Sequence, residues 1–310
     1  MGTAVRVNAA APWRRRRVRI YDREAPLGYL LLLPTLLVIG IFLLYPFLFG
    51  IWLSLTDSEL GNLGNFIGLD NYRFEWRNTD GVFYTAVVNT FLYTGITTVF
   101  KFSLGLVMAL LLNQAFPFRR FVRAALLLPY IIPTVLSYEA WRWMFDPTFS
   151  VVNWLLVHTH VAPYPGPNWL GVPFNAMAAL MIVNVWRGTP FYAIAFLAGM
   201  QVIPHDLYEA ARVDGATRWQ QFTNVTLPML RPVLLVVLLL STILTFADFQ
   251  GPFVLTNGAP YNSTQLLSIW AYQWGIPGGA ISLGAAISLV LFPLLTLVVA
   301  GVLFLLRRPE

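Results

Sequence analysis

Five ionisable residues stand inside long apolar stretches: Lys101, Glu139, Arg142, Arg187 and Asp248. A charge in hydrocarbon is costly, so such residues face a bundle interior or a watery passage and are the first functional candidates. Their chemistry is recognition, because a carboxylate and cations can orient a polar solute or one another. Glu139 and Arg142 are three residues apart on one helical face, where mutual neutralisation near the outer end is the simpler reading. Lys101 reads as a bundle-facing structural residue or one that snorkels. Arg187 lies mid-span beside Asn184, Trp186 and Gly188, with Asp248 on the next span as a potential ionic partner. The recognised motifs for covalent chemistry are missing from the sequence. It has no cysteine, no Gly-x-x-x-x-Gly-Lys-Ser/Thr nucleotide loop and no Gly-x-Ser-x-Gly elbow. His158 and His160 form an isolated His-x-His with no further ligands beside it, a weak pattern for a metal. The expectation is a chain that is not an enzyme, with no catalytic residue and no metal.

The elements that must position these residues are membrane helices. Of 310 residues, 57% are hydrophobic and only 11% are charged, whereas a soluble domain carries about 25% charged residues. So little charge cannot cover a water-facing surface, which excludes an ordinary cytosolic enzyme and a disordered protein. Lack of cysteine excludes a disulfide scaffold. Six stretches reach the roughly 20 apolar residues that cross a bilayer. They run at about 27–56, 84–114, 121–145, 175–201, 230–251 and 280–306. The first is much longer than a signal-peptide core and no small-x-small cleavage site follows it, so it reads as a retained helix. The expected fold is an all-α polytopic membrane helix bundle with six transmembrane helices.

Orientation follows from the net charge of +6, which is unevenly placed. Arg14, Arg15, Arg16, Arg17 and Arg19 directly precede an apolar run, so they read as a membrane-flanking anchor and not as a nucleic-acid site. With Arg119, Arg120, Arg123, Arg212, Arg218, Arg231, Arg307 and Arg308 they fall on one side of the six spans. The other side holds only Arg73 and Arg77. Basic residues favour the cytoplasm, so both termini are expected there. The organisation is a basic arm at 1–26, a six-span domain at 27–306 and a tail at 307–310. The outer loops are long. The first carries Asp57, Glu59, Asp70, Glu75 and Asp80, and the third is rich in Gly, Asn and Thr. They suit either a docking surface for a polar partner or a passive connector.

One cytoplasmic loop, 203–228, reads as two short capped helices. Asp206 as N-cap with Glu209 three residues on makes a capping-box pattern, and Thr217 with Gln220 repeats it. Gly215 suits the left-handed turn between them, and Pro228 should end the second. Helices of two turns are marginal alone, so the bundle or a partner must hold them.

The succession Glu209-Ala210-Ala211, Gly215 and Leu227-Pro228 resembles the EAA loop of binding-protein-dependent ABC importer permeases. Leu197 to Pro204 resembles the segment before it. Phe66-Ile67-Gly68-Leu69-Asp70-Asn71-Tyr72, Asn89-Thr90, Val183 to Phe191 and Leu255-Thr256-Asn257-Gly258-Ala259-Pro260 are similar to the carbohydrate-uptake branch, whose best-known member is the maltose permease. The basic arm and the Gly-Leu-Asp-Asn-Tyr segment resemble the first permease of the maltose or glycerol-3-phosphate type.

That resemblance implies a multi-pass subunit of the bacterial cytoplasmic (inner) membrane that moves a sugar or sugar-like solute by alternating access. It implies four kinds of partner: a second permease subunit, two copies of an ABC ATPase, an extracytoplasmic substrate-binding protein and membrane lipid. No cofactor would reside in this chain, and ATP and Mg would be bound by the ATPase subunits. Glu209, Ala210, Ala211, Asp214 and Gly215 would couple to the ATPase. Asn184 and Gly188 match positions where the maltose-type permeases hold sugar, Phe191 stands where they keep an aromatic and Ser241 at a matching serine, while Thr245 and Asp248 fall where they have amides. Arg187 stands where that family has an apolar residue, which leaves maltose itself in question and admits glycerol phosphate or another polar solute. A secondary transporter would call for an internal repeat, and none is evident.

Overall fold

The computed structural model describes residues 24–77 and 81–306. The basic arm with Arg14, Arg15, Arg16, Arg17 and Arg19, residue Asp80, and the tail with Arg307 and Arg308 lie outside the described residues. The chain divides into two compact units, 1–49 and 50–310. From the first, α1 (Glu24–Ile39) passes through a π-helical turn (Gly40–Leu44) into α2 (Tyr45–Ser54), whose residues from 50 on belong to the second unit. The turn is held by the Tyr45 amide bonding the Gly40 carbonyl, five residues back. Together Gly28–Ser54 make an apolar helix of 27 residues, about 40 Å long at 1.5 Å per residue and sufficient for a bilayer.

The second unit holds α3 (Asp70–Arg77), α4 (Val82–Asn113), α5 (Arg119–Ile131), α6 (Thr134–Met144), α7 (Val151–His158) and α8 (Pro173–Val202). After them come α9 (His205–Val213), α10 (Arg218–Gln221), a π-helical turn (Phe222–Thr226), α11 (Leu227–Phe246), α12 (Gln250–Leu255), α13 (Leu267–Gly275) and α14 (Ile281–Leu306). The longest seam joins α4 to α8. Gly105 makes it possible, since a Cβ there would strike the Cβ of Tyr192. Ala109, Leu112, Tyr192, Phe196, Leu197 and Met200 fill one end of the seam together with Leu230 and Leu234 of α11. At the other end Tyr93, Tyr138, Phe145, Leu180 and Val183 pack with Leu255 and Leu266. Small residues at the crossing let backbones approach closely, which drives helix association where lipid is as apolar as leucine.

The third expected span needs correction. A continuous helix over 121–145 does not form; α5 and α6 meet at 91°. Pro133 lacks an N–H and pushes Ile132 out of the helical region, to ψ 133°. The apolar run continues straight through this break, so hydropathy alone cannot show it. Among the described residues, five helices are long and apolar enough to cross a membrane, and the bent pair makes a sixth only when counted as one. The fifth span ends at Phe246 and not at 251. Ala247 closes α11, and the Oδ1 of Asp248 accepts the Gly251 amide at 3.4 Å as α12 begins.

Irregular backbone between α12 and α13 is tied down by polar side chains of α4. Asn89 Nδ2 donates to the carbonyls of Ser263 (2.9 Å) and Gln265 (3.1 Å), and Thr90 Oγ1 accepts the Leu267 amide (3.1 Å). Such backbone is tolerated beside a membrane bundle only where its groups are satisfied by protein.

Helix α3 reaches α13 through a buried carboxyl. Glu75 is 3% exposed; its Oε2 accepts Trp270 Nε1 at 3.0 Å, and its Oε1 has no partner. Burial pushes Glu75 above the usual carboxylate range, and the Trp270 hydrogen bond opposes that only partly. Between the usual and the raised value the folded chain keeps a proton that the unfolded chain has lost. This contribution to stability is therefore whole below the usual value and declines as pH rises through the window. The melting temperature of the purified protein should fall across that window, and Glu75→Gln should flatten the slope. An unchanged slope in Glu75→Gln would assign the pH dependence to another group.

Candidate functional site

A cavity of about 560 Å³ opens between α4, the α5–α6 bend, α8 and the end of α11. All seven residues named above for solute binding line it: Asn184, Arg187, Gly188 and Phe191 from α8, and Ser241, Thr245 and Asp248 from α11 and the turn beyond. On α8 the first four stand at i, i+3, i+4 and i+7, which places them on one helix face. On α11 the spacing of Ser241 and Thr245 does the same, and Asp248 follows in the turn just past the helix end. Pro190 lies within α8 without ending it.

Asp248 is the hub. Its Oδ2 accepts the Tyr93 hydroxyl at 2.8 Å and the Asn184 Nδ2 at 3.2 Å, and Ser268 Oγ donates to its backbone carbonyl at 2.7 Å. Asn184 Oδ1 accepts Lys101 Nζ at 2.9 Å, and the same ammonium donates to Thr245 Oγ1 at 2.7 Å. Thr245 Oγ1 in turn donates a hydrogen bond to the Ser241 carbonyl, 2.7 Å away. A relay thus runs from α4 through α8 to the α11–α12 turn, with a cation at one end and a carboxylate at the other. Charge-assisted bonds of this kind are the stronger class.

Arg187 does not bond Asp248; no ion pair joins them among the described residues. Its guanidinium carbon lies 5.9 Å from the centre of the Tyr130 ring, a cation–π arrangement. Tyr130 stacks on Phe191 at 5.8 Å and 20°. The cavity therefore offers an aromatic platform, a carboxylate, amide and hydroxyl groups, and two cations. That set suits a polyhydroxylated solute, whose hydroxyls need donors and acceptors and whose C–H face needs an aromatic ring.

Lys101, Tyr130, Thr134 and Tyr138 also line the cavity and were missed as site residues in the sequence. Lys101 neither snorkels nor stands apart from the site. Its position in mid-span was the available signal, but its partners lie 83 and 144 residues away. Glu139 and Arg142 stay outside. Their closest approach is 3.9 Å with both side chains about half exposed, a pair that contributes about 0–1 kcal/mol.

The loop 203–228 lies away from the cavity residues and differs in part from expectation. Helix α9 starts at His205 after Pro204, without a side-chain cap, so Asp206 is not the N-cap. Glu209 reaches back to His205 (3.4 Å) instead of completing a capping box. Gly215 has φ +77° and closes α9 with its amide on the Arg212 carbonyl, and Ala216 bonds that of Ala211. The Thr217–Gln220 capping box is present. Pro228 does not end the second helix. The Leu227 amide bonds Phe222 five residues back, and this π turn carries α10 into α11 past the proline. Tyr208 and Thr226 hydroxyls, 2.9 Å apart, fasten α9 to that turn. Glu209, Ala210, Asp214 and Gly215 are exposed and Ala211 half-buried. Val213, at 88% exposure, and Trp219, at 70%, add apolar surface beside them.

Residues 101–308 match the family described as binding-protein-dependent transport system inner membrane component. The trehalose/maltose transport system permease protein MalF of Thermococcus litoralis is 38% identical over 88% of this chain and 90% of its own length. The trehalose transport system permease protein SugA of Mycobacterium tuberculosis is 33% identical over 92% and 89%. The sulfoquinovosyl glycerol transport system permease protein SmoG of Agrobacterium fabrum is 32% identical over 96% and 99%. Among solved structures, a chain of a bacterial ABC transporter involved in the import of the acidic polysaccharide alginate superposes with a TM-score of 0.79 at 25% identity, covering 92% of this chain and 96% of that one. With a family match over two thirds of its length and a polar cavity between its spans, this chain belongs to the binding-protein-dependent transport system inner membrane components, as a multi-pass permease subunit.

Proposed function

We propose that the chain moves a sugar or sugar-like solute, delivered by an extracytoplasmic binding protein, through the cavity around Asn184 and Asp248. The observation that carries this reading is the convergence of seven residues from two helices on one polar cavity. Exposed Tyr130 (41%), Leu244 (67%) and Gln250 form its open rim, which a second permease subunit would close. Of two ATPase subunits, with their own ATP and Mg, one would seat on α9 and the Gly215 turn. Both termini would lie in the cytoplasm, with the basic arm 1–26 and tail 307–310 flanking the permease domain. ATP binding biases alternating access only by favouring one state over the other, and the turn fastened to α11 through Tyr208 and Thr226 can transmit that bias. Trehalose/maltose and trehalose systems among the relatives support a neutral disaccharide.

A second reading, an acidic solute such as a sugar acid or a glycerol phosphate, is favoured by Arg187. Its Nε is buried without a partner in the wall of the cavity. Uptake by the complex reconstituted with its partner subunits separates the two. Labelled trehalose or maltose should enter only with ATP, and a tenfold excess of glycerol phosphate or a glucuronate disaccharide should compete weakly. Competition by the acidic ligands alone would transfer the assignment to the second reading. Uptake that persists without an ATPase subunit would overturn the importer.

A further inference from the structure

Lys101 is the only lysine in the chain; every other strong base is an arginine. It is 2% exposed, midway along α4. Its stem crosses to α8 directly over Gly188. A Cβ on Gly188 would come within 2.5 Å of Lys101 Cδ, so the missing side chain of Gly188 is the space the lysine occupies. An arginine, with a wide planar head, does not fit such a slot as a narrow ammonium does.

The ammonium decides which way Asn184 points. An amide has one accepting and one donating end. With Oδ1 on Lys101 Nζ at 2.9 Å, Nδ2 can only face the other side, where Asp248 Oδ2 accepts it at 3.2 Å. Lys101 and Asp248 do not touch, and no ion pair between them exists among the described residues. The cation compensates the carboxylate across the amide. The Tyr93 hydroxyl and the Gly251 amide complete the donors around the Asp248 carboxylate. A direct ion pair would fill the space with its own contact. A pair held apart by Asn184 leaves the cavity open between opposite partial charges, where the hydroxyls of a solute can bond both.

We propose that Lys101 is the positioning residue of this cavity: it fixes the Asn184 amide and compensates Asp248, and Gly188 is a glycine to admit its stem. The transport part of the inference rests on the sugar reading; the charge compensation does not. A lysine that merely joined helices would make the same two bonds, but the behaviour of Asp248 would not depend on it.

Four proteins, purified with their partner subunits, test this: wild type, Lys101→Met, Asp248→Asn and the double variant. Melting temperature needs no solute. Each single variant should lower it, and the double should melt above Lys101→Met, because removing both charges leaves neither uncompensated. In uptake of labelled trehalose or maltose, Lys101→Met should raise KM at least tenfold, and the double should regain at least threefold. Gly188→Ala keeps both charges but crowds the stem, and should also raise KM in a fully assembled complex. Single-variant losses that simply multiply in the double, or a Gly188→Ala protein with the KM of wild type, would overturn the proposal. So would a Lys101→Met protein that loses only assembled complex and kcat. If wild type moves neither sugar while the melting temperatures still show the recovery, the sugar reading fails and the positioning role stands.

Discussion

Gly215→Pro is expected to remove at least 99% of ATP-driven uptake while leaving the chain inserted and abundant in the membrane. Gly215 holds φ +77°, and its amide closes α9 on the Arg212 carbonyl. Proline fixes φ near −65° and has no N–H, so the turn loses both its conformation and its bond, at a cost of about 3 kcal/mol or more. That is roughly a hundredfold in any equilibrium needing the turn. The damage is confined to an exposed loop, because Gly215 has open space around it. Gentle detergent extraction followed by identification of co-purifying proteins reads the result. A P-loop ATPase and a second permease should accompany the wild type, and the ATPase should be lost from the variant. Gly215→Ala, which strains the left-handed turn by about 1–2 kcal/mol, should fall between them. Wild-type uptake by Gly215→Pro would end the coupling role assigned to Glu209, Ala210, Ala211, Asp214 and Gly215.

The second large effect is expected at the cavity. Asn184→Leu keeps the volume of the side chain but removes the acceptor for Lys101 and the donor for Asp248. Hydrogen bonds to charged groups contribute about 1.5–3 kcal/mol each, so two of them amount to roughly a hundredfold or more in uptake. The complex should still assemble, since Asn184 is only half-buried and the packing of α4 on α8 runs well beyond it. Proteoliposome uptake at several solute concentrations checks this. Activity within tenfold of wild type would exclude Asn184 from the solute site.

Much of this arrangement was legible in the sequence, for identifiable reasons. The long helices announce themselves because a bilayer demands uninterrupted apolar runs. Asn184, Gly188, Phe191 and Ser241 could be grouped because they resemble the sugar-holding positions of the maltose-type permeases, and Arg187, Thr245 and Asp248 because they stand at further positions of that site with other side chains. What was hidden depends on contacts between distant segments or on competition between local rules. Lys101 has apolar neighbours on its own helix, and its partners come from α8 and α11. Pro133 and Pro228 are alike as residues yet act oppositely. One breaks α5 from α6, while the other sits at the start of α11, where a missing N–H is tolerated and a π turn absorbs the register change. Asp206 had the composition of an N-cap, but the preceding Pro204 starts the helix earlier and places Asp206 in its first turn.

The solitary lysine has a practical corollary in proteolysis. A lysine-specific protease has one site in this chain, after residue 101, and yields two fragments, 1–101 and 102–310. That bond lies in the middle of α4 against α8, within a membrane span, so cleavage must wait until the seam opens and α4 unfolds out of the detergent micelle. When reclosing outpaces cutting, the rate of fragment formation follows the population of the open form. A solute that binds only the closed seam slows the digestion by the factor 1 + [L]/Kd. The protein thus carries its own binding assay, readable on a gel with unlabelled candidate solutes and without a transport measurement.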